Sequence, residues 1–152
     1  MSTFVRASYV PLFERLCGDD GPSSQARVLE GPDLRASLRR DLLRLLSSRN
    51  GLTIAGFFEV EGSVWHYGLP DLLGLSVQSD KDLQVMAGVV GHAIALFEPR
   101  LSAVTVSARR DPRRPERACV TVSAQALLGR TLQRVDFDMA LDDPGLQTDA
   151  VA

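Results

Sequence analysis

The feature that most constrains this chain is a long amphipathic stretch that ends abruptly at Pro99. Ser79-Asp80-Lys81-Asp82 opens the stretch with the pattern of a capping box, in which Asp stands where Glu or Gln is usual. Apolar residues then recur at helical spacing over roughly 18 residues; they include Leu83, Met86, Val90, Ile94 and Phe97. Proline lacks an amide donor and drives the residue before it out of the helical region. The pattern therefore predicts a helix that turns into extended chain between Glu98 and Leu101.

Composition limits the chain to one domain and excludes several kinds of partner. Its 152 residues are 45% hydrophobic, and its net charge is -2. All basic residues except Lys81 are arginines, and this balance implies no polyanionic partner such as a nucleic acid. Cys17 and Cys119 are too few for a disulfide framework, and His66 and His92 give no metal-site spacing. With no signal peptide pattern and no apolar run that could span a bilayer, we expect a cytoplasmic protein without a cofactor.

A second amphipathic helix is predicted from Asp33 to about Ser48, with Asp33 as its cap after Pro32. Its apolar face consists of leucines at helical spacing, namely Leu34, Leu38, Leu42, Leu45 and Leu46. Four arginines gather away from that face: Arg35, Arg39, Arg40 and Arg44. We expect them to form a solvated face, and a partner surface is the alternative.

Between the two helices the pattern is irregular. Three glycines interrupt both the helical and the strand period from Gly51 to Gly62, so we predict short extended pieces there. The turn that follows, Tyr67-Gly68-Leu69-Pro70-Asp71, is predicted to be rigid, with Gly68 free to take a positive φ. We expect the rings of Trp65 and Tyr67 to lie in the core, and a role as partner anchors is the alternative.

After Pro99 the apolar period changes to two, which predicts an antiparallel meander of three strands. The inward positions of the last strand are Val135, Phe137, Met139 and Leu141. If this strand lies at the sheet edge, its unpaired backbone groups can pair with a strand of another chain, which makes Val135 and Phe137 candidate partner-binding positions. The first connection, residues 109–117, carries five arginines and two prolines. We expect a disordered loop there, and docking against an acidic partner is the alternative.

These elements predict an α+β fold, in which two amphipathic helices pack on one face of a small, mainly antiparallel sheet with a C-terminal meander. We divide the chain into an N-terminal arm and linker at 1–30, an α+β domain at 31–145 and a tail at 146–152. Phe13 and Leu16 are the candidate contact residues of the arm. The arm either docks on its own domain as a frayed end or lies on a neighbouring subunit.

Three blocks of the sequence resemble the TssE family, the baseplate subunit of bacterial type VI secretion. They are Asp41-Leu42-Leu43-Arg44-Leu45-Leu46, Tyr67-Gly68-Leu69-Pro70-Asp71 and Phe97-Glu98-Pro99-Arg100-Leu101. The resemblance runs from about Pro11 to about Leu141, but Ser47-Ser48 replaces the Asn-Thr pair that usually precedes the residue matching Arg49. This family is similar to a small baseplate protein of contractile phage tails that initiates the sheath and was once labelled lysozyme-like.

The resemblance implies a structural component of a contractile injection machine. Its domain at 31–145 would be of the baseplate type and would help to initiate sheath polymerisation. Its partners would be other baseplate wedge subunits and sheath proteins, in a large hetero-oligomeric assembly without nucleic acid or membrane insertion. Glu98, Pro99, Arg100 and Leu101 would form a partner-binding or structural motif, together with the turn at 67–71. A brace of the helix exit by hydrogen bonds within the chain is the simplest form of that role.

Two other functions compete with an assembly role. A glycosidase-type wall hydrolase needs two carboxylates that face one cleft, one of them kept protonated. Glu98 suits this chemistry poorly because Arg100, two residues later, favours the ionised carboxylate, and we therefore predict that the chain is not an enzyme. A small soluble adaptor that binds a regulatory protein is the other alternative, since a stress-response anti-adaptor is similar in fold to the TssE family.

Overall fold

The computed structural model describes residues 8–9, 28–29, 32–128 and 131–141. In the predicted arm it gives two short strands, β1 (Ser8–Tyr9) and β2 (Val28–Leu29), which pair antiparallel. Phe13 and Leu16, and the predicted tail at 146–152, lie outside the described residues. The predicted contacts of the arm therefore stay predictions.

The first long helix, α1 (Pro32–Ser47), matches the prediction to within one residue at each end. Pro32 is its first residue, where the missing amide costs no helical hydrogen bond, so Asp33 lies in the first turn and not at the cap. The predicted leucine face is buried, and it comprises Leu34, Leu38, Leu42, Leu45 and Leu46. Arg35, Arg39 and Arg40 are exposed on the other side, as expected.

The prediction of extended pieces between Gly51 and Gly62 is wrong, because a short helix, α2 (Ile54–Glu59), lies there. Thr53 caps it, since its hydroxyl accepts the amide of Gly56 at 3.2 Å. Phe57 on this helix is fully buried. The cap and one buried aromatic ring together outweigh the low helix propensity of glycine.

The same segment continues into a single turn of 3-10 helix at Val64–His66. The core prediction is wrong for Trp65, whose side chain is 86% exposed because this turn directs it away from the domain. Tyr67 is partly buried, and its ring packs edge-on against that of Phe97, with 5.3 Å between the centroids. Of the two rings that were predicted to lie in the core, Tyr67 alone therefore packs against an apolar neighbour.

The helix that ends before Pro99 is confirmed as α3 (Asp80–Phe97), 18 residues long. Ser79 caps it, as its hydroxyl accepts the amide of Asp82 at 3.2 Å. The carboxylate of Asp82 accepts the amide of Ser76 at 2.9 Å, so it reaches the preceding loop and not the first turn. Glu98 has φ -126° and ψ 75°, outside the helical region, as the following proline requires.

The predicted meander is confirmed as β3 (Leu101–Arg110), β4 (Ala118–Leu128) and β5 (Thr131–Ala140). The three strands form an antiparallel sheet in the order β3-β4-β5. The inward side chains of β5 are buried, as predicted, whereas Asp136 and Asp138 between them are exposed. A bulge lies in β3 between Ser102 and Thr105.

The long helices and the inward face of the sheet enclose one core, and the predicted α+β fold is confirmed. Helix α3 lies along β3, and α1 packs against α3 and reaches β5. Helix α3 lies directly on β3 at Gly91, where a Cβ would make an ordinary van der Waals contact with a methyl group of Val106 at 3.7 Å. This packing places the end of α3 beside α1, where the candidate site lies.

The prediction of a disordered arginine loop is wrong, because residues 111–117 form an ordered turn between β3 and β4. The amide of Asp111 donates to the carbonyl of Arg117 at 2.9 Å and closes the turn. Arg110 belongs to β3, and its guanidinium donates to the carbonyls of Val77 and Gln78 at 3.0 and 2.9 Å. The turn is thereby attached to the loop that precedes α3.

Candidate functional site

The candidate site is a cluster of charged side chains around Arg100, at the junction of α3, β3 and α1. Arg100 donates from Nε and Nη2 to the two carboxylate oxygens of Glu98, at 2.6 and 2.5 Å. Nη2 also donates to Asp41 of α1 at 2.5 Å, and Nη1 donates to the hydroxyl of Ser37 at 3.3 Å. Two-pronged pairing of this kind is the strongest and most directional form of the arginine–carboxylate bond.

The charges in this cluster are largely withdrawn from solvent. The Glu98 side chain is 6% exposed, and those of Arg100 and Asp41 are 19% and 18% exposed. Burial alone lowers the pKa of Arg100, but the hydrogen bonds and charges of Glu98 and Asp41 outweigh that effect and raise the pKa above its ordinary value. Arg100 is therefore a permanent cation, held between two carboxylates.

The backbone of the helix exit fixes the position of Glu98. Its amide donates to the carbonyl of Ile94 at 2.8 Å, which is the last helical bond of α3. Its own carbonyl accepts the amide of Leu101 at 3.2 Å, and its carboxylate accepts the amide of Arg100 at 3.3 Å. Pro99 lies inside this tight turn and supplies no amide that needs a partner. The four residues of the predicted motif thus brace the helix exit within the chain.

The turn at residues 67–71 packs beside this corner and is held by the chain that follows α1. Gly68 has φ 106°, and a Cβ there would lie 2.7 Å from the backbone of Ser48. The amide of Leu69 donates to the carbonyl of Ser48 at 2.9 Å, and the amide of Asn50 donates to the carbonyl of Leu69 at 3.0 Å. Leu69 and Pro70 are fully buried. The predicted turn and the positive φ of Gly68 are confirmed.

Asn50 is a residue of this turn that the sequence reasoning missed. Its side-chain amide donates to the carbonyls of His66 and Gly68 at 2.9 and 3.1 Å, and its Oδ1 accepts the amide of Leu52 at 3.0 Å. An asparagine just after a predicted helix often binds nearby backbone groups, and that position was the available signal.

Tyr67 connects the turn to the charged cluster. Burial raises the pKa of its phenol, the carboxylates of Asp41 and Glu98 raise it further, and Arg44 lowers it in part. The same three groups belong to the other two sequence blocks of the family resemblance, and Arg44 pairs with Asp41 at 2.9 Å. Because Tyr67 packs on Phe97 and Asp41 binds Arg100, all three blocks meet beside the Arg100 cluster, although they are widely separated along the chain.

Some predicted site residues lie elsewhere. Asp71 is exposed, and its carboxylate accepts the amide of Leu73 at 2.9 Å, so it ends the turn and does not enter the cluster. Val135 and Phe137 are core residues of β5. Ser37 was missed; the available signal for its neighbourhood was Asp41, an acidic residue among the arginines of α1.

The polar groups of the cluster bind one another. Among the residues that the structure describes, no group of His, Cys, Asp and Glu could hold a metal. In the same residues no helix is both long and apolar enough to cross a membrane. Both oxygens of Glu98 already accept hydrogen bonds from Arg100.

A family model described as baseplate wedge protein gp25 matches residues 32–130. This chain belongs to the gp25 baseplate wedge family. The match includes α1, the turn at 67–71 and the Arg100 cluster, and it confirms the baseplate resemblance that the three sequence blocks carry. As a member of this family the chain is a structural baseplate component, which confirms the predicted assembly role.

A solved structure supports the fold of this gp25-family chain. A chain of "The baseplate complex from the type VI secretion system" is similar to it with a TM-score of 0.50 and 18% sequence identity. The similarity covers 72% of this chain and 95% of that chain. No curated protein matches the sequence. The structural likeness shows a shared fold, and the family assignment comes from the sequence match.

Proposed function

We propose that this chain is the TssE-type subunit of a type VI secretion baseplate and that it helps to initiate the sheath. The observation that carries the proposal is the meeting of the three TssE-like blocks around Arg100, which pairs with Glu98 and Asp41. A brace of this kind fixes the angle between α1, α3 and β3, and hence the relative positions of the surfaces that meet other subunits. The fold of the type VI baseplate chain supports the same assignment.

The proposed role is not enzymatic. A glycosidase needs a protonated carboxylic acid that can reach a sugar, with a second carboxylate across a cleft. Glu98 is 5% exposed, and both of its oxygens already accept hydrogen bonds from Arg100, so it cannot reach a sugar in a cleft. The geometry therefore favours the brace over the hydrolase that the old lysozyme-like label suggests.

The surface proposed to receive the first sheath subunit is the free edge of β5. Within the described residues β5 pairs with β4 alone. The amide of Leu141 donates to the carbonyl of Ala118, the residue opposite, at 2.8 Å. Antiparallel pairs alternate between bonded and non-bonded, so the amides of Asp136 and Asp138 point away from β4. An incoming strand would find these donors unoccupied by the chain's own sheet.

The proposal is tested in cells that lack the chromosomal copy of this chain. Sheath assembly is counted by fluorescence of a labelled sheath protein after complementation with the wild type, Glu98→Ala or Arg100→Ala. We expect sheaths with the wild type and none with either variant, with soluble protein in every case. Normal sheath numbers without the chain would overturn the proposal. Release of soluble cell-wall fragments by the purified chain, lost in Glu98→Ala, would favour the hydrolase.

The cellular setting and the partners follow from the same proposal. A baseplate subunit of this kind acts on the cytoplasmic side, in a hetero-oligomer with other wedge subunits and sheath proteins. Phe13 and Leu16 of the arm remain candidates for the contact with a neighbouring subunit. A chain that begins near Gln25 and still assembles into baseplates would show that the arm is dispensable.

A further inference from the structure

The 3-10 turn presents two large apolar side chains to solvent. Val64 and Trp65 are each 86% exposed, and we call this pair the Trp65 knob. A tryptophan this exposed is unusual in a folded domain, where large rings are mostly buried. It is the one tryptophan of the chain. An exposed aromatic anchor of this kind is typical of the centre of a protein interface.

The knob is held in place by the polar atoms beneath it. Nδ1 of His66 lies 3.1 Å from the hydroxyl of Ser63 and 3.2 Å from the carbonyl of Glu61. The carbonyl of His66 accepts the side-chain amide of Asn50 at 2.9 Å, which joins the turn to the end of α1. Because its backbone is fixed before binding, the knob loses little entropy when it is covered.

The segment that carries the knob is acidic, and the neighbouring Arg49 directs its guanidinium to the carbonyls of Leu46 and Ser48. Residues 50–79 contain no lysine and no arginine, although the chain has sixteen arginines elsewhere. The acidic residues of this stretch are Glu59, Glu61 and Asp71, and all three are exposed. In the described part of the chain, Glu59 and Glu61 form no ion pair, and the carbonyl of Glu61 contacts the same turn as Trp65. An exposed apolar anchor on an acidic segment is complementary to a basic partner.

We propose that the Trp65 knob is a docking site for a basic segment of another baseplate subunit. An arginine of that segment stacks on the indole of Trp65, and neighbouring basic side chains pair with Glu59 and Glu61. This surface is separate from the Arg100 cluster and from the free edge of β5. This proposal rests on the proposed function in one respect, namely that the partner is another subunit of the baseplate.

A second copy of this chain is a poorer occupant. A second copy has basic regions of its own, the exposed arginines of α1 and the turn between β3 and β4. A knob of one copy on either region of the next is a head-to-tail contact, which extends into an open filament unless the rotation closes. A different basic chain avoids this difficulty.

The first test places a photo-crosslinking residue, p-benzoylphenylalanine, at position 65 in purified baseplates. We expect a crosslink to another subunit, at a peptide with arginine or lysine beside the linked residue. A baseplate that contains the chain but gives no crosslink, an acidic linked peptide, or a link to a second copy would each overturn the proposal. Absence of the chain from baseplates would count against the proposed function, and the knob is then decided by the second test.

The second test uses the purified full chain and needs no baseplate. The fluorescence of Trp65 is titrated with two synthetic helical peptides that are identical except that arginines in one replace glutamates in the other. We expect binding of the arginine peptide alone, weakened roughly fivefold by Glu59→Gln with Glu61→Gln, as two exposed charge pairs allow. Glu116→Gln removes an exposed charge elsewhere and serves as the matched control. Equal binding of both peptides, or equal loss in the control, would overturn the proposal.

Discussion

Arg100 binds both carboxylate oxygens of Glu98, two residues before it, and through the same Nη2 it binds Asp41 of the first long helix. The Arg100 side chain thereby joins the two sides of the turn that ends α3, and it also attaches this turn to α1. Because the cation has two anionic partners within the chain, the Glu98–Arg100 pair acts first on the shape of this domain.

We predict that Arg100→Ala lowers the free energy of unfolding by about 3 kcal/mol, because it leaves Glu98 buried without a counter-charge. Arg100→Lys should recover only part of the loss, since an ammonium group cannot form the two parallel bonds to Glu98. Urea denaturation of the purified chain, followed by circular dichroism, measures both values.

The matched control for Arg100 is Arg134→Ala. Arg134 pairs with Asp136 at 3.2 Å, but its side chain is 73% exposed, and such surface pairs contribute less than about 1 kcal/mol. Losses of equal size at the two positions would show that the Arg100 cluster is no stronger than a surface ion pair.

Gly68 gives the second prediction. Gly68→Ala should cost about 3 kcal/mol, because φ is 106° and the new Cβ would lie 2.7 Å from backbone atoms of Ser48. Gly74→Ala is the control, since a Cβ at Gly74 meets nothing within 4 Å. Thermal unfolding of the two variants provides the comparison. If Gly74→Ala were the more destabilising, the tight approach of the turn to α1 would not be a constraint.

Tyr67 makes the free energy of unfolding depend on pH in the alkaline range. The pKa of its phenol is raised in the folded chain, first by burial, so the folded state favours the neutral form. The unfolded chain ionises near the ordinary tyrosine pKa of about 10. The contribution of Tyr67 to the free energy of unfolding is therefore complete below that pH, and it is lost as the pH rises through the pKa of the folded chain.

The corresponding prediction is that Tyr67→Phe flattens the decline of unfolding free energy above about pH 10. In a Tyr9→Phe background, Tyr67 is the remaining tyrosine, so phenolate absorbance gives its pKa directly. Titration of Tyr67 at or below the value of the urea-unfolded chain would contradict the burial argument.

Sequence reasoning located the regular elements whose signals are local. The period of two in β5 and the Ser79 cap of α3 are each contained in a few consecutive residues, and both predictions are confirmed. The proline stop located Glu98 at the exit of α3 for the same reason.

The contacts that were missed join residues far apart in sequence. Arg100 is 59 residues from Asp41, and nothing in either neighbourhood specifies the other. Helix α2 was missed because the three glycines of this segment have a low helix propensity. The features that stabilise the helix, a cap and a buried ring, depend on tertiary packing that the sequence does not reveal. Trp65 was placed in the core by its residue type, yet the ring that packs on Phe97 is Tyr67.

The last prediction concerns the free edge of β5. Asp136→Pro or Asp138→Pro should stop sheath initiation more severely than alanine at the same position, because proline removes an amide that points to an incoming strand. The baseplate should still form, since those amides make no bond to β4. Sheath polymerisation on purified baseplates measures the difference. Equal results for proline and alanine would move the proposed contact to the N-terminal arm.

A proline at Phe137 is the internal control for this experiment. The amide of Phe137 lies in register with that of Leu141 and points to β4, so Phe137→Pro breaks the sheet of the chain itself. That variant should fail to fold, which separates damage to the domain from damage to its edge.

The alternation along β5 assigns different constraints to neighbouring residues. Odd-numbered positions supply both the core side chains and the amides that bind β4, whereas even-numbered positions such as Asp136 and Asp138 supply outward side chains and outward amides. Under the proposed sheath pairing, changes at even-numbered positions alter the surface that an incoming strand meets, while the buried side chains of β5 and the amides that bind β4 stay the same. The even-numbered side chains also bind across the sheet, since Asp136 accepts the hydroxyl of Ser123 and Asp138 accepts that of Thr121. A change at Asp136 or Asp138 therefore alters the outward face and removes one bond to β4 at the same time.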